Sequence, residues 1–104
     1  MSEYPTETEL NYIKNFDAIH NPLGLIEFVK EIWWCGCNGG VVIKGKKTKL
    51  IELHTWGWSG NEEIINVLMN TMFWIGFWEK SYKGGHYYFK ITDTYLKFIP
   101  KEKK

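Results

Sequence analysis

The chain has 104 residues, which is the size of one ordinary domain. Its net charge of +1 argues against a general binder of long nucleic acid, because such proteins usually present a strongly basic face. No apolar run is long enough to span a membrane, and the N-terminus lacks the layout of a signal peptide. We therefore expect a cytoplasmic protein with no membrane partner.

Aromatic residues are unusually frequent for a chain of this length, with 6 Trp, 6 Tyr and 6 Phe. Trp and Tyr combine a large apolar ring with a polar group that needs a hydrogen-bond partner when it is buried. This composition suits either a compact core or a surface on which ligands stack.

Two helices are predicted in the N-terminal third. Thr6 and Glu9 have the spacing of a capping box at the start of the first helix. Asn21-Pro22 is the start signal of the second, whose apolar residues recur at helical spacing over 25–33. The glycine-rich segment 35–40 is expected to end this helix and turn the chain.

The remainder of the chain predicts two β-hairpins on either side of a third helix. The first hairpin pairs residues 41–44 with 49–55, and the second pairs 73–82 with 86–92. Ser59 or Asn61 is predicted to cap the third helix, and residues 95–99 are predicted to add a short strand.

The resulting order is α-α-β-β-α-β-β. It predicts an α+β fold in which helices pack on an antiparallel β-sheet of two hairpins. We expect a single domain over residues 1–104, made of a helical part (1–34), a ββαββ core (41–99) and a charged tail (100–104).

Alternation along the predicted strands separates an apolar face of the sheet from a mixed one. The mixed face is expected to carry rings, lysines, histidines and one carboxylate: Leu50, Glu52, His54, Trp74, Trp78, Lys80, Tyr82, His86, Tyr88, Lys90 and Thr92. Such a face suits a small planar anionic ligand, since rings stack on bases and cations meet phosphate. Two alternatives remain open, in which the N-terminal helices cover this face or a second copy of the chain binds it.

The segment His54–Glu63 contains two indoles, a histidine and two glycines. The start of a helix is an anion-binding position, and Gly57 and Gly60 would let a phosphate approach the backbone. Glu62 and Glu63 would repel an anion from the first helical turn, so capping without a ligand is the favoured interpretation.

Signatures of enzymes and metal sites are weak. The chain has no nucleophile elbow, P-loop or zinc-protease motif, so we predict no catalytic residues and no cofactor. Cys35 and Cys37 are expected to be reduced thiols, and their spacing is not that of a zinc site. A metal site completed by His54 or His86 is a minor alternative, and a Cys35–His54 pair would be the basis of a small hydrolase, our third hypothesis.

The segments 52–65, 73–74, 78–81 and 84–89 together resemble a family of small proteins encoded by bacteriophages and prophages. The residues at 4–7, 16–17 and 33–34 fit the same family. The family has no established activity, so the resemblance implies no catalytic residues. The chain departs from the family at Trp56, where the family has Gly, and after Trp34, where the family has a longer and more aromatic link.

A phage origin would imply a short non-enzymatic protein that counters host defence in the host cytoplasm. Our leading hypothesis is an oligomeric protein that sequesters a small nucleotide-like signal; the alternative is an inhibitor or adaptor that binds a host protein through exposed aromatic residues. The predicted ligand-binding residues are His54, Trp56, Trp58, Ser59, Asn61, Trp74, Trp78, Lys80, His86, Tyr88 and Lys90.

Overall fold

A computed structural model of the chain describes residues 4–34 and 39–99. Its elements in chain order are α1 (Glu7–Asn15), α2 (Pro22–Ile32), β1 (Val41–Lys44), β2 (Lys49–His54), α3 (Ser59–Leu68), α4 (Met72–Phe77), β3 (Trp78–Tyr82), β4 (His86–Ile91) and α5 (Asp93–Lys97). The predicted α+β class, antiparallel sheet and element order are confirmed. The predicted turn at 35–38, with both cysteines, lies outside the described residues.

The four strands form one antiparallel sheet in the order β1-β2-β4-β3. Each predicted hairpin is present, and the two hairpins join where β2 pairs with β4. In that pairing His54 lies opposite His86, and Glu52 lies opposite Tyr88. This register fixes which side chains meet on each face of the sheet.

Both predicted N-terminal caps are confirmed. The Thr6 hydroxyl accepts the Glu9 N–H at 3.1 Å while the Glu9 carboxylate accepts the Thr6 N–H at 2.9 Å. The Asn21 side chain accepts the Gly24 N–H at 3.0 Å, with Pro22 in the first turn of α2.

The predicted strand over 73–77 is wrong, because these residues form helix α4. The Thr71 hydroxyl caps this helix by accepting the Trp74 N–H. Phe73 and Phe77, four residues apart, are both buried, whereas Ile75 between them is 73% exposed. Apolar residues at 73, 75 and 77 fit the period of a strand. Burial of residues 73 and 77 with exposure of residue 75 instead fits the period of a helix.

The predicted strand over 95–99 is also wrong. Residues 93–97 form α5, which is capped by the Thr92 hydroxyl accepting the Tyr95 N–H. The predicted capping of α3 by Ser59 or Asn61 needs correction too: the helix begins at Ser59, its N-cap is Trp58, and no side chain caps it.

The core lies between the helices and one face of the sheet. Ile51, Leu53, Phe89 and Ile91 from β2 and β4 join buried residues of α1 to α4 in one cluster, including the fully buried Trp33. The helical part therefore packs on the apolar face of the sheet. In the described segments, no helix is long and apolar enough to span a membrane.

Candidate functional site

The other face of the sheet is not covered by the described helices. We call it the open face and define it by these residues: Lys44, Leu50, Glu52, His54, Lys80, Tyr82, His86, Tyr88 and Lys90. Leu50 is 39% exposed and Tyr82 is 56% exposed. Of the two alternatives to ligand binding, cover by α1 and α2 is therefore excluded.

A chain of polar side chains crosses the open face over three strands. Lys44 Nζ on β1 lies 2.7 Å from Glu52 Oε2 on β2, and Glu52 Oε1 lies 3.0 Å from His54 Nε2. His54 Nδ1 then lies 2.7 Å from Nδ1 of His86 on β4. We call Lys44, Glu52, His54 and His86 the polar chain.

When both imidazoles are neutral, the hydrogen bonds of the polar chain determine which ring nitrogens carry hydrogen. An ionised carboxylate only accepts, so His54 Nε2 must carry a hydrogen and donate it to Glu52. Neutral His54 then has a free lone pair on Nδ1, which accepts from Nδ1–H of His86. Consequently, Nε2 of neutral His86 is an unprotonated acceptor.

Charge on the polar chain is internally compensated. Hydrogen bonds from Lys44 and then from His54 hold the pKa of the Glu52 carboxyl below its ordinary value. The same contact with Glu52 raises the pKa of the Lys44 ammonium. Glu52 therefore stays ionised near neutral pH, and its charge faces a cation rather than open solvent.

Trp56 lies at one edge of the site and has an unusual backbone conformation. Its φ is 54°, and it is the only non-glycine residue with positive φ in the described ranges. The Trp56 ring stacks on His54 at 5.4 Å between centroids with 28° between planes, and its edge approaches His86. Half of this residue remains exposed, so it also presents a ring to solvent.

The turn that carries Trp56 is held in place by buried neighbours. The fully buried Thr55 donates its N–H to Gly85 O at 2.9 Å. Its carbonyl accepts from Asn61 Nδ2 at 3.2 Å. Gly85 has φ 83°, and a Cβ there would lie 2.0 Å from Thr55 Oγ1, so only glycine fits. These contacts explain how a strained residue is kept beside His54.

A shallow hollow of about 260 Å³ lies further along the open face. It is lined by Lys44, Leu50, Ile51, Glu52, Glu79, Lys80, Tyr88 and Phe89. Lys80 Nζ lies 5.5 Å from the Tyr82 ring centroid and 5.4 Å from that of Tyr88. Within the described residues neither Lys80 nor Lys90 forms an ion pair, so both are available to an anion.

Six of the predicted ligand-binding residues meet at this face or its edge: His54, Trp56, Lys80, His86, Tyr88 and Lys90. Both nitrogens of His54 are engaged within the polar chain, so it orients His86 rather than meeting an anion itself. Trp78 lies at the start of β3, where its indole N–H donates to Ser81 Oγ at 2.8 Å.

The other predicted residues lie elsewhere. Trp74 is on α4 and packs against Tyr87 and Phe89, on the apolar side of the sheet, so its placement on the mixed face is wrong. Trp58 contacts Trp34 edge-on, and the exposed Ser59 begins α3.

Asn61 is fully buried, so its predicted contact with a ligand is replaced by contacts within the fold. Its Oδ1 accepts the Trp34 N–H at 2.8 Å, and its Nδ2 donates to the carbonyls of Trp34 and Thr55. The side chain thus joins the end of α2 to the Trp56 turn.

Sequence reasoning placed Glu52 and Tyr82 on the mixed face without counting them among the ligand-binding residues, and it did not place Lys44 on that face. Lys44 was predicted only as the last residue of the strand 41–44, but Val42 lies opposite Glu52, so alternation places Lys44 on the face of Glu52. Alternation in the sequence gives this placement of Lys44 only after the register of the hairpin is known.

Comparisons of the chain with protein-family models, with curated proteins and with solved structures gave no match. We therefore infer the binding chemistry of the open face from its geometry alone. It combines partly exposed rings, two unpaired lysines and one hydrogen-bond acceptor. Within residues 4–34 and 39–99, no group of three or more metal-ligating side chains is present.

Proposed function

We propose that the open face binds a small planar anion of nucleotide-like chemistry. The observation that carries this proposal is the combination of a half-exposed Trp56 ring with the unpaired cations of Lys80 and Lys90 on one uncovered sheet face. An aromatic ring offers stacking to any base, worth about 1–3 kcal/mol per base. The Lys80 ammonium beside the hollow can form a charge-assisted hydrogen bond to a phosphate oxygen.

The ligand is expected to lie along β2 and β4. Its ring stacks on Trp56, and one of its donor groups meets the acceptor Nε2 of His86. Its anionic group lies towards the hollow beside Lys80, which Tyr88 also lines. The carboxylate of Glu52 does not repel this group strongly, since Lys44 is bonded to it.

The wider biological proposal rests on the resemblance to small phage-encoded proteins. It is that the ligand is a nucleotide signal of host defence and that the protein acts by sequestering it, without catalysis. A sequestering protein needs affinity and abundance only, which agrees with a site made of stacking and charge.

Calorimetric titration of linear and cyclic nucleotides tests the proposal. We expect at least one nucleotide to bind, and Trp56→Ala and Lys80→Ala each to weaken it about tenfold or more. Lys30→Ala is the matched control, because Lys30 is an exposed lysine of α2 and should leave affinity unchanged. Failure of every nucleotide to bind the wild-type chain would contradict the proposal.

A second candidate is a protein partner, either a host factor or a second copy of this chain. It is favoured by the exposure of Trp56, Trp78 and Tyr82, which are 50%, 46% and 56% exposed, since Trp and Tyr are enriched in interfaces. Sedimentation analysis separates these cases: a concentration-dependent dimer that Tyr82→Ala weakens supports self-association, and a monomer at all concentrations contradicts it.

A further inference from the structure

A side-chain contact of 2.7 Å between β2 and β4 joins two nitrogens of the same kind. We propose that His54 and His86 form a two-histidine site for a divalent transition-metal ion, with Zn²⁺ as the representative ion. The ion would be held between the two Nδ1 atoms, which face each other at 2.7 Å. This inference does not require nucleotide binding, and because the bound ion moves the hydrogen of His86 to Nε2, that atom does not accept from a nucleotide while the ion is in place.

The position of the two histidines in the sheet brings their imidazole rings close together. They are direct cross-strand partners on one face. The flanking Thr55 N–H bonds to Gly85 O, so the histidines occupy the adjacent pair without ladder hydrogen bonds, where side chains approach most closely. Zn–N bonds of about 2.0–2.1 Å put two ligating nitrogens of a tetrahedral ion about 3.3 Å apart. Rotation of the two side chains must therefore widen the observed 2.7 Å gap by about 0.6 Å for both nitrogens to bind the ion.

A carboxylate stands behind the first histidine in the arrangement typical of metal sites. Metal-ligating histidines usually donate their second ring N–H to a carboxylate or carbonyl, which fixes the tautomer and strengthens the ligand. His54 Nε2 lies 3.0 Å from Glu52 Oε1, and its side chain is only 12% exposed. The Nδ1 lone pair of His54 is therefore already directed towards the proposed ion.

Metal binding requires one proton to move within the pair. Without the ion, His86 carries its hydrogen on Nδ1 and donates it to His54. With the ion bound, Nδ1 of His86 is a ligand, and the hydrogen moves through solvent to Nε2 of the same ring. Both imidazoles remain neutral, so the exchange balances without an additional acid or base.

Imidazole nitrogens prefer Zn²⁺, Cu²⁺ and Ni²⁺ to Mg²⁺ or Ca²⁺, which prefer oxygen. In the part of the chain that the structure describes, no third histidine, cysteine or carboxylate joins the pair. Water or an anionic oxygen would fill the remaining positions. The site is thus expected to exchange its ion readily rather than to stabilise the fold as a closed structural zinc site does.

Titration of the metal-free chain with ZnCl₂, followed by calorimetry and by imidazole nitrogen NMR, tests the proposal. We expect one Zn²⁺ per chain, a shift of both Nδ1 resonances, and loss of binding in His54→Ala and in His86→Ala. Glu52→Ala should weaken binding about 10–100-fold. The matched control is His20→Ala, because His20 is the remaining histidine and bonds to Asp17 away from the sheet.

The thiols of Cys35 and Cys37 need a separate control experiment, because cysteines bind the same ions. The titration is repeated on the Cys35→Ser/Cys37→Ser chain, which should retain the site with one Zn²⁺ per chain. Loss of binding in that chain, persistence of binding when His86→Ala is added to it, or Nδ1 resonances that do not shift in the wild-type chain would each overturn the proposal. The NMR readout requires no variant and so does not depend on any variant's folding.

Discussion

Glu52 is the residue on which the charge balance of the open face depends. It touches a lysine on one side and a histidine on the other, and both contacts favour its ionised form. Alternation along β2 correctly assigned Glu52 to the polar face. Its partner Lys44 could not be assigned from the sequence, because Lys44 is eight positions away and the hairpin register decides whether the two side chains meet.

The Glu52 carboxyl should titrate below the range of an ordinary glutamate, and Lys44→Ala should raise its midpoint. Its pKa is lowered on folding, so the contact stabilises the fold above the unfolded-state pKa. That stability is lost as the pH falls through the folded-state pKa. Carboxyl carbon NMR measures both midpoints; an unchanged midpoint in Lys44→Ala would show that the ion pair is not formed in solution.

Asn61→Ala should destabilise the fold by about 2–3 kcal/mol, because it leaves buried backbone groups of Trp34 and Thr55 without partners. Urea unfolding followed by circular dichroism measures this change. Asn66→Ala on the exposed side of α3 is the matched control and should stay within about 0.5 kcal/mol of wild type. An Asn61→Ala variant no less stable than Asn66→Ala would contradict this role, because the buried hydrogen bonds of Asn61 would then contribute nothing.

Trp56 affects the stability of the fold in two ways, through its backbone conformation and through its ring. A non-glycine residue in the left-handed region is strained by about 1–2 kcal/mol. Trp56→Gly should therefore be more stable than Trp56→Ala by about 1 kcal/mol, although both remove the stacking ring. Thermal unfolding compares the two variants, and equal stability would contradict the strain.

At the scale of elements, the hairpin turns and the caps of α1 and α2 were predictable because their signals are local. Thr6–Glu9 and Asn21-Pro22 each place a cap beside its helix, and glycines mark the β3–β4 turn. Residues 73–77 were not predictable in the same way, because apolar residues there satisfy both periods. Tertiary packing favours the helix, because it buries Phe73 against Phe89 and Phe77 against Tyr95.

The β3–β4 turn offers a matched pair of glycines that tests the packing of the Trp56 turn. Gly84 and Gly85 have φ of 92° and 83°, so alanine is strained at both. Only at position 85 would the added Cβ collide with Thr55. Gly85→Ala should therefore be less stable than Gly84→Ala by about 1–3 kcal/mol in urea unfolding. Equal losses would indicate that Thr55 and Gly85 are not in contact.

At the scale of the whole molecule, the fold places all its described helices on one side of a four-stranded sheet. The apolar side carries the core, and the other side carries the polar chain, the hollow and the exposed rings. This division was foreseen from alternation within each strand. The exposure of the mixed face was not, because apolar stripes on α1 and α2 would fit either side and only the packed structure shows which they cover.

The central claim is that a nucleotide-like anion binds the open face, and chemical-shift mapping tests it most directly. Nucleotides are added to nitrogen-labelled protein, and backbone and indole N–H signals are followed. Binding as proposed shifts the Trp56 indole and the amides of Glu52, His54, His86 and Tyr88, and leaves the Trp74 indole unchanged. Shifts confined to Trp74 and the helices, or no shift with any nucleotide, would contradict the account.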